Sequence, residues 1–239
     1  MVRNKIIKQS QGNTQIYVNW SAIKETEYLA ANGIKELILV AQETSVYGVD
    51  IYGEKKLPEL LKKLCKVKGI EWIRLLYCYP EEITDELIEV IKTESKICHY
   101  IDMPIQHASD EILRRMGRHT DRKELTEKIA MLRRLMPDIC LRTTLITGFP
   151  GETIEDHEQN LALLKKIRWD HLGVFTYSRE EGTPGFELGE TVDEEEKERR
   201  KIELMDAQIA IASEDRAKMT GTSAEVLVES RDPLTGMYI

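Results

Sequence analysis

Short runs of apolar and β-branched residues alternate along this chain with longer stretches in which apolar residues recur every three or four positions. The short runs predict buried strands, and the longer stretches predict amphipathic helices. Strands that alternate with helices assemble into parallel sheets, so the pattern indicates an α/β fold. The five predicted strands cover residues 35–41, 71–79, 99–103, 139–147 and 171–177.

One strand and the helix that follows it take up roughly 30 residues, which is the length of one unit of a (β/α) barrel. The predicted helices begin near residues 21, 57, 84, 109, 120 and 153. Five strands could form an open doubly wound sheet or a barrel, but they are too few for a full eight-stranded barrel. We therefore predict a partial (β/α) barrel.

The stretch at residues 139–153, which reads ICLRTTLITGFPGET, contains the most informative turn of the sequence. Its strand-like half ends at Gly148, where glycine permits backbone angles that other residues resist. Thr153, followed three residues later by Asp156, predicts a helix N-cap. Ligands of β/α units bind at the turn after a strand, although an ordinary tight connection could have the same sequence.

The two ends of the chain differ from its alternating part. Residues 1–20 are polar and predict only a short strand at residues 15–18. Residues 193–219 predict a long helix that Asp193 and Glu196 cap as a pair, and its charged run DEEEKERRK predicts a solvated face. Another strand is predicted at residues 224–228. We expect three parts: an atypical N-terminal segment at residues 1–20, the partial barrel at residues 21–221, and the start of a small β domain at residues 222–239.

Composition narrows the range of functions. The chain has 239 residues, of which 41% are hydrophobic and 32% charged, and no apolar run reaches membrane-spanning length. Because the N-terminus also lacks a signal-peptide core, we expect a cytoplasmic protein with no membrane partner. The net charge of −8 argues against direct nucleic-acid binding as the main function, since such proteins present basic surfaces.

Polar side chains follow several of the predicted strands. Gln42 and Glu43 follow the first strand, Gln106 follows the third, and Arg142 lies in the fourth. The carboxyl ends of parallel strands meet at one edge of a sheet, so we expect these groups to share a site for a small molecule. Glu43 and Gln106 suit an ammonium group or a ribose, and Arg142 suits a carboxylate. Each of these residues taken alone could also be a polar surface residue without a role in ligand binding.

Other chemistry has less support in the sequence. His107 lies on the same edge, where a hydrogen bond that stabilises the loop competes with a catalytic role. The other histidines have no metal-ligand spacing, and the chain contains neither a nucleophile elbow nor a P-loop. A basic cluster within residues 114–123 could contact RNA or an acidic surface, and a solvated helix face is the simpler explanation.

Five segments resemble the radical S-adenosylmethionine (SAM) methylthiotransferases. Ile146, Gly148 and the following PGE resemble the fifth-strand signature of radical SAM enzymes, which packs against adenosine. The resemblance covers about residues 21–221 and is greatest to the RimO type, which modifies an aspartate of a small-subunit ribosomal protein. The segment from Ala224 resembles the start of a substrate-recognising TRAM domain. The five segments are LILVAQET, WIRLLYCYPEEIT, PIQHASDEILRRMGR, RTTLITGFPGET and GVFTYSREEGTP.

The resemblance implies a mechanism and a set of cofactor contacts. One [4Fe–4S] cluster would reduce SAM to a radical that abstracts hydrogen from the aspartate β-carbon, and a second cluster would supply sulfur for the methylthio group. Six cofactor-binding residues follow from the resemblance: Gln42 and Glu43 at the methionine end of SAM, Gln106 at its ribose, Arg142 at its carboxylate, and Ile146 and Gly148 at its adenine.

The sequence departs from the family at its cysteines. The radical-forming cluster requires a CxxxCxxC loop, whose three thiolates leave one iron open to SAM. Residues 1–20 contain no cysteine, and the four cysteines present are dispersed: Cys65, Cys78, Cys98 and Cys140. We therefore expect buried thiols, no metal site and no activity of this chain by itself. A fragment of the tRNA-modifying MiaB type and a cluster-free module that binds SAM or protein are the alternatives.

Overall fold

The computed structural model describes residues 5–8, 15–17, 22–189, 191–228 and 230–238. Strands within these ranges form one sheet, in which five neighbouring strands are parallel and follow the order of the chain. Two short antiparallel strands extend the sheet on one side. The strands are β1 (Lys5–Lys8), β2 (Gln15–Tyr17), β3 (Glu36–Leu39), β4 (Trp72–Leu75), β5 (Ile97–Asp102), β6 (Cys140–Thr147) and β7 (His171–Thr176).

Helices connect the parallel strands and pack on one face of the sheet. The five parallel strands and the partial (β/α) barrel predicted from the sequence are thus confirmed. Two four-residue helices and β1 were not predicted, because such short elements show no measurable periodicity. The helices are α1 (Ala22–Ala31), α2 (Val49–Tyr52), α3 (Leu57–Leu64), α4 (Asp85–Thr93), α5 (Asp110–Arg115), α6 (Arg122–Leu135), α7 (Ile154–Ile167), α8 (Pro184–Glu187) and α9 (Glu194–Met219).

The two faces of the parallel sheet differ in polarity. Along β6, Leu141 and Leu145 are buried in the core with residues of the helices, whereas Arg142 and Ile146 alternate with them and are partly exposed. This alternation follows from the two-residue period of a strand. The helix-covered face therefore forms the core, and the opposite face is polar where Arg142 pairs with Asp102 of β5.

The observed helix starts agree in most details with those predicted from the sequence. Thr153 and Asp156 form the predicted capping box at the start of α7. α6 is capped by the Asp121 side chain and not by Thr120, where the sequence placed its start. At α9 the Asp193 side chain accepts a hydrogen bond from Glu196 N at 2.8 Å. The carboxylate of Glu196 instead bonds the guanidinium groups of two arginines of the same helix, so the predicted reciprocal cap is not formed.

Two expectations about the C-terminal third were wrong. Lys197 and Arg200 belong to the charged run that predicted a solvated face, yet both are buried. Residues 224–228 form no strand within the described ranges, and the only ladder contact beyond α9 there is a bridge between Arg231 and Tyr238. A strand needs a partner for its backbone groups, and this segment has none in the described part of the chain.

None of the helices in the described ranges combines the length and the apolar composition that crossing a membrane requires.

A buried carboxylate fixes the turn after β6. The side chain of Glu152 is fully buried, and its Oε2 accepts hydrogen bonds from the backbone N–H groups of Gly148 and Phe149. The Arg200 guanidinium lies 2.9 Å from Oε1 and donates a hydrogen bond to the Glu152 carbonyl. Burial by itself would raise the pKa of Glu152, but His107 and Arg200 hold that pKa below its ordinary value. The turn therefore depends on an ionised carboxylate.

Replacing Leu141 with alanine should lower the free energy of unfolding by roughly 2–5 kcal/mol, because it leaves a cavity in the core beneath β6. Leu141 is 0% exposed, whereas Leu234 is 94% exposed and supplies a matched control. Leu234→Ala should change stability by less than about 0.5 kcal/mol. Urea denaturation followed by circular dichroism measures both, and equal effects of the two substitutions would contradict the described core.

Glu152→Gln should destabilise the fold at pH 7 by about 3 kcal/mol, since it removes the fully buried one of the two carboxylates that pair with the Arg200 guanidinium and leaves only Glu196. A carboxyl group with a depressed folded pKa contributes stability above its unfolded pKa of about 4.3 and loses it as pH falls through the folded pKa. The difference between wild type and variant should therefore shrink below about pH 4. Denaturation midpoints between pH 7 and pH 3 test this, with the exposed Glu158→Gln as control. A pH-independent difference would contradict it.

Candidate functional site

The carboxyl ends of the parallel strands border a cavity of about 570 Å³, here called the strand-end cavity. The segments after β4, β5, β6 and β7 all reach it, as does the segment that follows α5. Ligands of parallel α/β folds bind at this edge of the sheet. Its lining includes Tyr79, Gln106, Arg118, Ile146, Phe149 and Tyr177.

Gln106 enters the cavity from a constrained stretch of backbone. Its φ of 70° lies in the left-handed region, which residues other than glycine seldom adopt. Its N–H donates to Thr144 O and its carbonyl accepts from Ile146 N, which ties this loop to β6. The side-chain Oε1 is buried and has no hydrogen-bond partner among the described residues. Because an unpaired buried polar atom is costly, this oxygen is suited to accept a hydrogen bond from a ligand.

Arg118 supplies a second polar group that can form a further hydrogen bond. Its guanidinium carbon lies 3.8 Å from the centre of the Tyr79 ring, and its Nη2 donates to Pro104 O at 3.3 Å and contacts Glu81. The Nε–H is buried and has no hydrogen-bond partner within the described ranges. Two residues of the described lining thus carry buried polar atoms without a partner: an acceptor on Gln106 and a donor on Arg118.

Apolar and aromatic groups form the rest of the wall. The rings of Phe149 and Tyr177 meet edge to face, with their centres 5.2 Å apart. Ile146 pairs in the sheet with Phe175 of β7, and both side chains border the cavity. A flat ring can pack against such groups, while hydroxyl or ring nitrogen atoms of the same ligand would meet Gln106 and Arg118. The arrangement suits a nucleoside.

Two of the six residues predicted to bind the cofactor, Gln106 and Ile146, line the strand-end cavity. Gly148 lies next to it in a left-handed conformation with φ of 73°. A Cβ at this position would come within 2.2 Å of Lys197 Cγ, so the glycine permits a close approach of α9 rather than of a ligand. Its predicted contact with adenine stays a prediction.

Gln42 and Glu43 lie at the end of the sheet nearest β3. Gln42 is exposed, whereas Glu43 is partly buried and accepts hydrogen bonds from Ser45 and from Tyr79 N. Burial raises the pKa of Glu43 even though these hydrogen bonds act in the opposite direction. Its carboxylate connects the loops after β3 and β4, and a contact with the methionine end of SAM remains a prediction.

Arg142 lies on the polar face of the sheet, below the strand ends. Its Nη1 donates to Asp102 Oδ1 at 2.6 Å, and Asp102 also accepts a hydrogen bond from Tyr77 N. About a third of the Arg142 side chain is exposed. Gly173 faces it from β7, where a Cβ would lie 3.5 Å from Nη2. A carboxylate could therefore reach the guanidinium from the open side, and the contact of Arg142 with the carboxylate of SAM stays a prediction.

His107 is not available to a ligand. The ring is fully buried, Nδ1 accepts a hydrogen bond from Ser109 N at 2.9 Å, and Nε2 lies 2.8 Å from the Asn160 amide. These contacts are those of a residue that stabilises a loop. In the basic cluster, Arg115 donates a hydrogen bond to Pro150 O, which ties α5 to the turn after β6, whereas Arg118 lines the strand-end cavity.

Arg118, Phe149 and Tyr177 were not among the six residues predicted to bind the cofactor. Arg118 was one member of a basic run, Phe149 belonged to the glycine turn after the fourth predicted strand, and Tyr177 ended the fifth. Their positions after three different elements converge only in the folded chain. An arginine that follows Met116-Gly117 at the end of a short helix, near the strand-end edge, is the one clue that the sequence offers.

The cysteines do not match the requirements of an iron–sulfur cluster. Cys78 is buried, Cys65, Cys98 and Cys140 are partly buried, and burial raises the pKa of all four thiols. Clusters bind thiolates, which a raised pKa disfavours. Within the described ranges, no group of three or more His, Cys, Asp or Glu side chains is placed to hold a metal ion.

A second cavity of about 550 Å³ lies away from the strand ends, between α1, α2 and α3. Its charged groups are paired with each other or with near neighbours, since Lys56 contacts Glu54 and Glu59, and Lys63 contacts Glu59. The described residues that line it include no buried polar atom without a partner, in contrast to those of the strand-end cavity.

Several curated proteins similar to this chain are named ribosomal protein uS12 methylthiotransferase RimO. The chain is 53% identical to the ribosomal protein uS12 methylthiotransferase RimO of Lachnoclostridium phytofermentans, over 98% of this chain and 53% of that protein. It is 49% identical to the protein of the same name from Clostridium perfringens, over 94% of this chain and 50% of that protein. The chain thus spans about half the length of the curated relatives it matches.

Solved structures share its fold at low sequence identity. Coproporphyrinogen III oxidase (HemN) from Escherichia coli superposes with a TM-score of 0.58 at 16% identity, over 82% of this chain and 45% of that one. Methylornithine synthase (PylB) does so with a TM-score of 0.55 at 17% identity, over 82% and 56% of the two chains. Residues 12–164 match the radical SAM superfamily. Since this match spans more than half of its 239 residues, the chain belongs to the radical SAM superfamily.

Proposed function

We propose that this chain is the SAM-binding part of a RimO-type methylthiotransferase, which adds a methylthio group to the β-carbon of an aspartate in ribosomal protein uS12. The observation that carries the proposal is the identity of about half of all residues to proteins of that name, over nearly the whole of this chain. Such identity extends well beyond the turn and strand residues that the fold itself requires.

The strand-end cavity supports binding of the nucleoside half of SAM. Ile146 and the Phe149–Tyr177 pair provide apolar surface for adenine, and Gln106 Oε1 and Arg118 Nε offer an acceptor and a donor for hydroxyl or ring atoms. When SAM is bound and reduced in this family, it supplies the radical that abstracts hydrogen from the substrate. The part of this chain is to bind and orient the nucleoside.

The methionine half would lie toward the polar face of the sheet. Arg142, held by Asp102 and open on one side, is the candidate for the carboxylate of SAM, and Gln42 and Glu43 are the candidates for its amino end. Glu43 is held rigidly by hydrogen bonds from Ser45 and Tyr79. A carboxylate fixed in this way loses little conformational entropy when it binds an ammonium group.

The residues of this chain do not fit a [4Fe–4S] cluster. Its four cysteines lack the CxxxCxxC spacing, and their thiols have raised pKa values. Within the described ranges, these residues therefore provide no ligand set for a cluster.

The proposed substrate protein and the cellular location follow from the same similarity. Ribosomal protein uS12 is the partner, and the cytoplasm, where ribosomes are modified, is the location. Residues 222–239 are proposed to begin a TRAM-like β domain that contacts the substrate. No direct contact with nucleic acid is needed for this activity.

Isothermal titration calorimetry of the ligand-free chain tests the nucleoside pocket. Without a cluster to bind the methionine half, SAM and adenosine should bind weakly and within about tenfold of each other in affinity. Gln106→Leu should lower the affinity for SAM and for adenosine by about tenfold each, because one hydrogen bond to a buried group contributes about that much to binding. Gln159→Leu, outside the cavity, is the matched control. Folded protein that binds neither ligand would contradict the pocket.

A chimera tests the complete activity. Residues 22–221 of this chain would replace the matching part of the Lachnoclostridium phytofermentans relative, which retains its own flanking regions. After anaerobic cluster reconstitution, we expect mass spectrometry to find a methylthio group on an aspartate of uS12, and far less product with Gln106→Leu. A chimera that binds its clusters but modifies tRNA, or modifies nothing, would refute the proposed substrate.

A further inference from the structure

The first turns of α9 bury two cations beside the strand-end cavity. Lys197 is 0% exposed and Arg200 is 4% exposed, although both belong to a strongly charged run. Burying a cation is unfavourable unless charged or polar groups surround it. The two residues are three positions apart and therefore lie on the same side of the helix. Both face the turn that follows β6.

Arg200 reaches the cavity wall through Glu152. Its guanidinium lies 2.9 Å from Glu152 Oε1, and its Nε donates to Glu196 Oε1 at 2.7 Å, so the cation is placed between two carboxylates. The other oxygen of Glu152 accepts the N–H groups of Gly148 and Phe149. The direction of the Phe149 ring into the cavity thus depends on a carboxylate that Arg200 holds.

Lys197 contacts both loops that form this wall. Its Nζ donates to Tyr177 O at 3.2 Å, and it also contacts the carboxylate of Glu194. Its aliphatic part fills the space that the absent Cβ of Gly148 leaves, and its own carbonyl accepts a hydrogen bond from Thr147. One side chain therefore fixes the separation of the segments after β6 and β7.

These contacts converge on the aromatic wall. Phe149 and Tyr177 meet edge to face, with their rings 5.2 Å apart, and each is connected to a different buried cation of α9. Among the described residues, the exposed Arg199 and the half-buried Lys201 form ion pairs with carboxylates of α9 itself. The helix also lies beyond the residues that match the radical SAM superfamily.

We infer that Lys197 and Arg200 are positioning residues, which hold Phe149 and Tyr177 in the orientation that the nucleoside requires. The inference rests on the proposed nucleoside site for its functional meaning. The positioning itself concerns the ligand-free protein and can be measured without any ligand. Loss of either cation would loosen the two loops while the sheet and the remaining helices stay folded.

Hydrogen–deuterium exchange of the ligand-free chain provides the first test. Lys197→Met and Arg200→Met keep much of the side-chain length and remove the charge, and Arg199→Met and Lys201→Met are matched controls on the exposed side of the same helix. Amides in peptides covering residues 146–153 and 175–186 should exchange about tenfold faster or more in the first pair, the effect of losing one hydrogen bond to a charged group. The controls should match wild type.

A charge-retaining variant and a ligand titration complete the test. Arg200→Lys should restore part of the protection, and the affinity for adenosine should fall in Lys197→Met and Arg200→Met with little change in the exchange of α3. Faster exchange spread equally over the whole chain would show a merely structural role and overturn the inference, as would unchanged exchange in the two loops. If wild type fails to bind adenosine, the proposed site is wrong, yet the exchange data still decide the positioning role.

Discussion

The buried carboxylate of Glu152 is the group on which the arrangement of the strand ends depends. It lies where a strand, a glycine turn and a helix meet, and it accepts the N–H groups of Gly148 and Phe149. Those two amides have no strand partner because β6 ends at Thr147. An ionised acceptor in the interior is stable only with a counter-ion, which Arg200 provides. The turn, α7 and α9 are thereby joined through one charge pair.

The opposite polarity of the two sheet faces explains where a ligand can bind. Strand residues alternate, so each strand that buries Leu or Ile under the helices also presents a polar or aromatic residue on the other face. On that face Glu36 pairs with Arg74, and Asp102 pairs with Arg142. Because each cation has its own carboxylate, the face is polar without a large net charge, which suits a ligand that carries both an amino group and a carboxylate.

The nucleoside features do not require an iron–sulfur cluster. Gln106, Arg118, Ile146 and the Phe149–Tyr177 pair are positioned by backbone hydrogen bonds, by stacking on Tyr79 and by the packing of α9. Cys98 and Cys140 lie in strands, Cys65 follows α3, and Cys78 lies in the loop after β4, and burial raises the pKa of each of these thiols. The proposed nucleoside half of the site thus depends on none of the four cysteines.

The sequence by itself determined the five parallel strands, most helix starts, the capping box of Thr153 and the edge of the sheet where Gln106 and Ile146 lie. These features follow from local periods and from residue preferences that act within a few positions. Only the tertiary structure decided that Lys197 and Arg200 are buried and that Arg118, Phe149 and Tyr177 share one cavity. A charged run predicts a solvated helix face, because the carboxylate that makes burial possible, Glu152, is distant in sequence and comes close only when the chain folds. The local hydrophobic pattern therefore determines the strands and helices, whereas the pairing of charges that are distant in sequence determines the arrangement of residues beside the strand-end cavity.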